Sequence, residues 1–209
     1  MAKLRVTYNA PVVLTFALAA VVVQLLPDSA KQYFAAWPEF HDWRSYLGLV
    51  THILGHAGWD HLLANFSIIL ILGPILEERH GSLTLLGMIL ITALVTGLIN
   101  VAFTNQLLVG ASGIAFMMVI LASVANIRAG EIPLTFIAVA VLFMGREVVA
   151  AFKEDQVSQA AHLIGGTVGG AFGFLSARVG GGGGGGGAPT PSTPGLPRAL
   201  PRPAPKRPE

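Results

Sequence analysis

Residues 60–104 read DHLLANFSIILILGPILEERHGSLTLLGMILITALVTGLINVAFT. Two apolar runs, 60–78 and 83–104, flank a short charged stretch that ends Glu77-Glu78-Arg79-His80-Gly81. A helix needs about 20 predominantly apolar residues to cross the hydrocarbon core of a bilayer, and each run has about that length. Working outward, four more windows of the same kind fall at 10–27, 112–128, 132–151 and 157–178. The whole chain of 209 residues is 53% apolar and 11% charged, where soluble domains average about 45–50% and about 25%. That composition excludes a water-soluble globule and a nucleic-acid binder of the usual kind, and the lack of Cys excludes a disulfide scaffold. The fold expected is all-α, a polytopic bundle of six membrane-spanning helices over residues 1–179.

Residues 180–209 form a separate segment with nine Gly and eight Pro. Its apolar surface is too small to offset the entropy of ordering, so a disordered tail is expected. Arg198, Arg202, Lys206 and Arg207 place much of the chain's positive charge there, so the high pI does not point to an anionic substrate. The first window follows Lys3 and Arg5, as in a secretory signal. Its apolar stretch is long for one and no small-x-small cleavage site follows, so it reads as a retained span. Lys and Arg favour a cytoplasmic N-terminus by five to four without the tail, and six spans return the C-terminus to the same side. The longest connection, about 28–59, holds Trp37, Trp43 and Trp59 with Tyr33, Phe34, Phe40 and Tyr46. Such amphipathic rings favour the membrane boundary.

Ionisable groups inside a bilayer are expensive and mark function by default. The second window carries His61 and Asn65 one helical turn apart on one face, the fourth opens with Gly110-Ala111-Ser112-Gly113, and the sixth carries His162. In an alternating bundle these three helices start from the same side. With a rise of 1.5 Å per residue, His162 and Asn65 lie about 8 Å below their helix starts, so four polar side chains from three spans share one level facing the outer side. A serine hydroxyl becomes a nucleophile when a neutral histidine takes its proton, and Ser112 with His162 suits that pairing, with no acid evident to orient the ring. Acyl transfer also needs donors for the developing oxyanion; His61, Asn65 and the N-terminal amides of the helix starting at Ser112 are candidates. Gly165, Gly169 and Gly173 repeat at intervals of four, a small-residue seam that lets helices four and six approach, and Phe116 lies one turn below Ser112.

In order and spacing these pieces resemble the rhomboid intramembrane serine proteases. They are Trp43-Arg44 and His56 in the first connection, HLLAN at 61–65, EERHG at 77–81, GASG at 110–113 and AHLIGGTVG at 161–169. The resemblance covers roughly residues 40–178. It implies a six-helix core, Ser112 as nucleophile, His162 as base, and an oxyanion hole of His61, Asn65 and the Ser112 N–H. Gly110, Gly113, Phe116, His56, Trp43, Arg44, Glu77, Arg79, Gly165 and Gly169 are then supporting positions. Phe116 stands where bacterial relatives often have Tyr, which keeps a ring against His162 and loses a hydroxyl; Ala160 stands where Gly is common. The implied substrates are single-pass membrane proteins whose spans unwind near helix-destabilising residues, cleaved in the cell (inner) membrane with no metal or cofactor.

Other readings have weaker support. His52, His56 and His61 could suggest a metal site, but no HExxH pattern and no Cys accompany them. His56 reads better as a hydrogen-bonding residue within the first connection. Glu77, Glu78 and Arg79 read as a cytoplasmic end cap or salt bridge, with Glu77 also fixing the second span against the third. Arg146 and Glu147 lie near the outer boundary, where they can snorkel. A transporter would be expected to show paired intramembrane acids or a repeat between halves, and neither is evident. A non-catalytic rhomboid-like protein that binds membrane clients is the main alternative to a protease.

Overall fold

The computed structural model describes residues 7–40, 42–104, 107–124 and 163–173, with single positions at 134, 137, 138, 141 and 175. His162, Arg146, Glu147, nearly all of the expected fifth window and the tail from 180 lie outside these. The described residues are helical, with one isolated antiparallel bridge between Ala36 and Leu108. In chain order they form α1 (Pro11–Leu25), α2 (Asp28–Lys31), a 3-10 turn (Gln32–Phe34), α3 (Trp43–Thr51), α4 (Trp59–His80), α5 (Ser82–Phe103) and α6 (Ser112–Val124). A further apolar helix runs over Leu163–Gly173.

Among the described residues α4 and α5 are long and apolar enough to cross a membrane, each with 22 residues. At 1.5 Å per residue each is about 33 Å long. Their outward faces carry Leu63, Leu70, Ile71 and Ile75 on α4, and Leu83, Leu90, Ile91, Leu94 and Leu98 on α5, all exposed. Contiguous apolar exposure on this scale suits lipid as the surrounding solvent. The hydroxyls of Thr92 and Thr96, buried in α5, donate to the carbonyls of Met88 and Thr92 at 2.7 and 2.6 Å, so neither hydroxyl needs a partner from another helix.

α4 is the central element and packs against α1, α5 and α6. A Cβ on Gly73 would lie 2.7 Å from a Val13 methyl, so the missing side chain is what lets α1 close on α4. Phe16 and Phe66 complete that contact edge to face at 5.0 Å. The buried core then continues through Ile69, Leu85 and Met88 to Ile114, Met117 and Leu121.

Glu77 joins three helices at the opposite end of α4 from His61. α1 begins with Pro11, and its next two amides have no acceptor within their own helix. The Glu77 carboxylate accepts both, from Val12 and Val13 at 3.0 Å each, and a third bond from the Ser82 hydroxyl at 2.7 Å. From its sequence position Glu77 was expected to form an end cap or salt bridge and a tie to the following span. Glu77 is a cap, but for α1, a helix 64 and 65 residues away in sequence, and Ser82 supplies the tie to α5. A carboxylate at a helix N-terminus also meets the positive end of the helix dipole. Glu77→Ala is expected to destabilise the protein by about 2 kcal/mol or more, because it leaves two buried amides unpaired. Glu77→Gln, which keeps one acceptor, should lose roughly half as much. Unfolding in detergent measures both, and a Glu77→Ala variant as stable as wild type would contradict this role.

Candidate active site

The expected interfacial connection contains a nine-residue helix, α3. Asp42 caps it by accepting the Arg44 amide at 2.8 Å. Trp43 stacks on Tyr33 with ring centroids 6.3 Å apart, and the Arg44 guanidinium lies 4.9 Å from the Tyr33 ring centre. Trp43 and Tyr46 face outward, as expected of aromatic side chains at a membrane boundary. The inner side of α3 rests on α5 at Gly97, where a Cβ would come within 3.0 Å of Leu49 Cα. Thr51 secures the end of α3 by donating its hydroxyl to the Tyr33 carbonyl at 2.7 Å.

This connection carries the segment that leads into Ser112. Ala36 and Leu108 exchange backbone hydrogen bonds of 2.9 and 3.0 Å, the Gly110 amide donates to the His52 carbonyl at 2.9 Å, and the Ala111 amide donates to His56 Nε2 at 3.3 Å. His52 turns its own Nδ1 to the Gly48 carbonyl at 3.2 Å, within its own helix. The chain is thus held at three successive levels as it approaches α6. The contacts of His52 and the Ala36–Leu108 bridge were not anticipated, since backbone pairing between residues 72 apart leaves no side-chain signature.

Gly110 has φ +116, a conformation that side chains with a Cβ rarely adopt. A Cβ there would also lie 2.9 Å from His61 Nε2 and 3.6 Å from Asn65 Nδ2. The glycine therefore lets the backbone beside Ser112 come close to the two α4 side chains that the sequence reading named as donors. Asn65 is buried, and its Nδ2 has no hydrogen-bond partner among the described residues. Ser112 is half-buried at the first position of α6. The first amides of a helix have no acceptor one turn back, and their dipole favours negative charge nearby.

The helix Leu163–Gly173 packs against α6. A Cβ on Gly165 would fall on the Gly113 carbonyl and one on Gly169 on the Met117 carbonyl, while one on Gly166 would meet the Phe116 ring at 2.8 Å. Four residues along one helix match four along the other, so the two run parallel, as expected for spans that start from the same side. The glycine seam therefore brings these backbones together. His162 is the residue immediately before this described stretch. Glu77 and Arg79, 16 and 18 residues along α4 from His61, lie at the other end of that helix, about 24 Å or more away at 1.5 Å per residue. Trp43 and Arg44 stay on the surface of the first connection.

His52 and His56 lie outside the two spanning helices, and burial pushes each down to about 4. His56 also faces the His61 ring, edge on at 5.2 Å, and the Phe66 ring at 5.8 Å. With both nitrogens of His56 engaged, it has no lone pair left for a metal. Among the described residues no group of three or more His, Cys, Asp or Glu side chains is placed to hold one.

The model of one protein family, described as Rhomboid domain, matches residues 42–179, about two thirds of the chain. The match begins at the cap of α3 and takes in every helix from α3 onward.

Two outcomes follow from this geometry. His52 and His56 are neutral in the folded protein but take up protons near 6.5 when unfolded. Stability should therefore be full above about 6.5 and fall as the pH drops from there towards about 4, where the folded rings protonate too. Unfolding midpoints against pH measure this, and a midpoint flat from 7 to 4 would contradict it. Gly165→Val should push its helix off α6 and cost about 1–3 kcal/mol, read in the same assay.

Proposed function

The chain belongs to the rhomboid family, and from that premise we propose that it is an intramembrane serine endopeptidase with a Ser112–His162 dyad. In this reading the membrane domain, residues 1–179, has six spans, both termini are cytoplasmic, and the site opens to the outer side of the cell membrane. Substrates are single-pass membrane proteins that reach the site from the lipid and unwind there.

One observation carries most weight: the residues on either side of Ser112 in sequence meet the α4 donors and the glycine seam. Gly110 lies against His61 and Asn65, and Gly165 lies against Gly113. Extending the parallel register of the seam back three residues from Gly165 would set His162 level with Gly110, about 3 Å along the helix axis from Ser112 at 1.5 Å per residue. Phe116, which meets the following turn at Gly166, would then support the imidazole ring from below.

In the proposed mechanism His162 takes the Ser112 hydroxyl proton as Oγ attacks the scissile carbonyl. Charge develops on the carbonyl oxygen and is met by donors already in place. These are Asn65 Nδ2, which has no partner among the described residues, the His61 ring and the Ser112 amide. Preorganised donors of this kind are worth about 2.7–4 kcal/mol each in a site that excludes water. His162 then gives its proton to the leaving amine, the C–N bond breaks, and water hydrolyses the acyl-enzyme with His162 again as base.

Cleavage of several tagged single-pass proteins, run beside fluorophosphonate labelling of the detergent-purified protein, tests this. Ser112→Ala should abolish both, and His162→Ala should lower cleavage by at least about a thousand-fold. Asn65→Ala should lower kcat by about a hundred-fold or more. Labelling and cleavage unchanged in Ser112→Ala would sink the dyad. Client binding without cleavage, indifferent to Ser112→Ala, would favour the non-catalytic reading.

A further inference from the structure

We propose that His56 is a positioning residue: its ring acts as a fixed hydrogen-bond acceptor that sets the Gly110–Ala111 peptide plane, the one immediately before the plane that carries the Ser112 amide. The bonding partners determine the tautomer. Nδ1 lies 3.2 Å from the Leu54 carbonyl, which can only accept, so Nδ1 carries the proton. Nε2 is then bare and accepts the Ala111 N–H. A ring held neutral by burial is in the state this requires.

Ala111 is fully buried and held at both ends of its backbone. Its amide goes to His56, and its carbonyl accepts the Ala115 amide at 2.9 Å, the first bond of α6. The Ala111 carbonyl and the Ser112 amide share one planar peptide unit and point in opposite directions. With the carbonyl directed down α6, the Ser112 N–H is directed out of the helix start. His56 therefore does two things. It withdraws the Ala111 amide from any substrate, and it stops the residue before Ser112 from rotating about its own backbone. The Gly110 bond to the His52 carbonyl and the Ala36–Leu108 pair hold the preceding residues, so His56 supplies the last constraint before the helix begins. Catalytic consequences of this role rest on the reading of Ser112 as nucleophile; the positioning role does not.

Three variants separate an acceptor from a space filler. In His56→Gln the side-chain oxygen can reach the Nε2 position and still accept from Ala111. In His56→Asn the amide is one methylene shorter, so it can bond near Leu54 but cannot reach Ala111. His56→Leu fills space and accepts nothing. Hydrogen exchange of the 108–113 amides is measured on the full-length protein, with unfolding midpoints alongside. The Ala111 amide should exchange about ten-fold faster in the Asn and Leu variants than in wild type, and within about three-fold of wild type in Gln. On cleavage, Asn and Leu should lose about ten-fold in kcat with KM within two-fold, and Gln should recover most of that loss. Exchange that is the same in all three variants, or that follows the midpoints and not the presence of an acceptor, would overturn the proposal. If wild type neither cleaves nor takes the fluorophosphonate, the protease reading fails, while the exchange result still decides the role of His56.

Discussion

A backbone amide or carbonyl with no partner inside a membrane costs several kcal/mol, so irregular chain at that depth needs acceptors and donors from elsewhere in the protein. Residues 107–111 are an irregular stretch, buried at Leu108, Gly110 and Ala111. They are neither helix nor part of a sheet, and they precede the serine on which the proposed chemistry rests. The first connection supplies what they need: the Ala36 backbone for Leu108, the His52 carbonyl for Gly110 and the His56 ring for Ala111. This explains why the connection between α1 and α4 contains a capped helix and a buried histidine pair where a flexible loop would be shorter. Its outer face presents aromatic rings suited to a membrane boundary, and its inner face completes the hydrogen bonding of a distant segment.

Close approach of backbones is the second requirement, and glycine meets it wherever the site is built. Gly73 lets α1 onto α4, Gly97 lets α3 onto α5, Gly110 lets the serine segment onto His61, and Gly165 and Gly169 let the last described helix onto α6. Between helices in lipid no hydrophobic force drives association, and small residues that permit tight van der Waals contact take its place. Glu77 does by charge what the glycines do by shape. Its carboxylate joins the start of α1 to the junction of α4 and α5, far enough from Ser112 that its role is architectural.

Much of this was legible from residue type and spacing. Windows at 60–78 and 83–104 became helices over Trp59–His80 and Ser82–Phe103, because a long apolar segment in lipid has no other way to satisfy its own backbone. Counting spans and depths led to the expectation that Ser112 shares a level with His61 and Asn65, and the residue two before it, Gly110, lies against both. The internal structure of the 28–59 connection was not legible. A run rich in aromatics and turn residues does not reveal that Asp42 caps a helix or that Ala36 pairs with Leu108. Glu77 was half legible: a buried carboxylate needs partners, but spacing pointed to a neighbouring basic residue, and the partners are amides brought to it by folding.

The sequence by itself determined the all-helical character of the described residues, the approximate bounds of α1, α4 and α5, and which few polar side chains stand among apolar ones. These are local properties, dictated by hydropathy over a window and by the chemistry of single residues. Tertiary structure alone decided which acceptor each stray amide would find: Val12 and Val13 at Glu77, Gly110 at His52 and Ala111 at His56. Hydrogen bonds between residues 55 to 65 apart depend on how helices pack, and packing is set by the summed shapes of many side chains, which no single window of sequence contains.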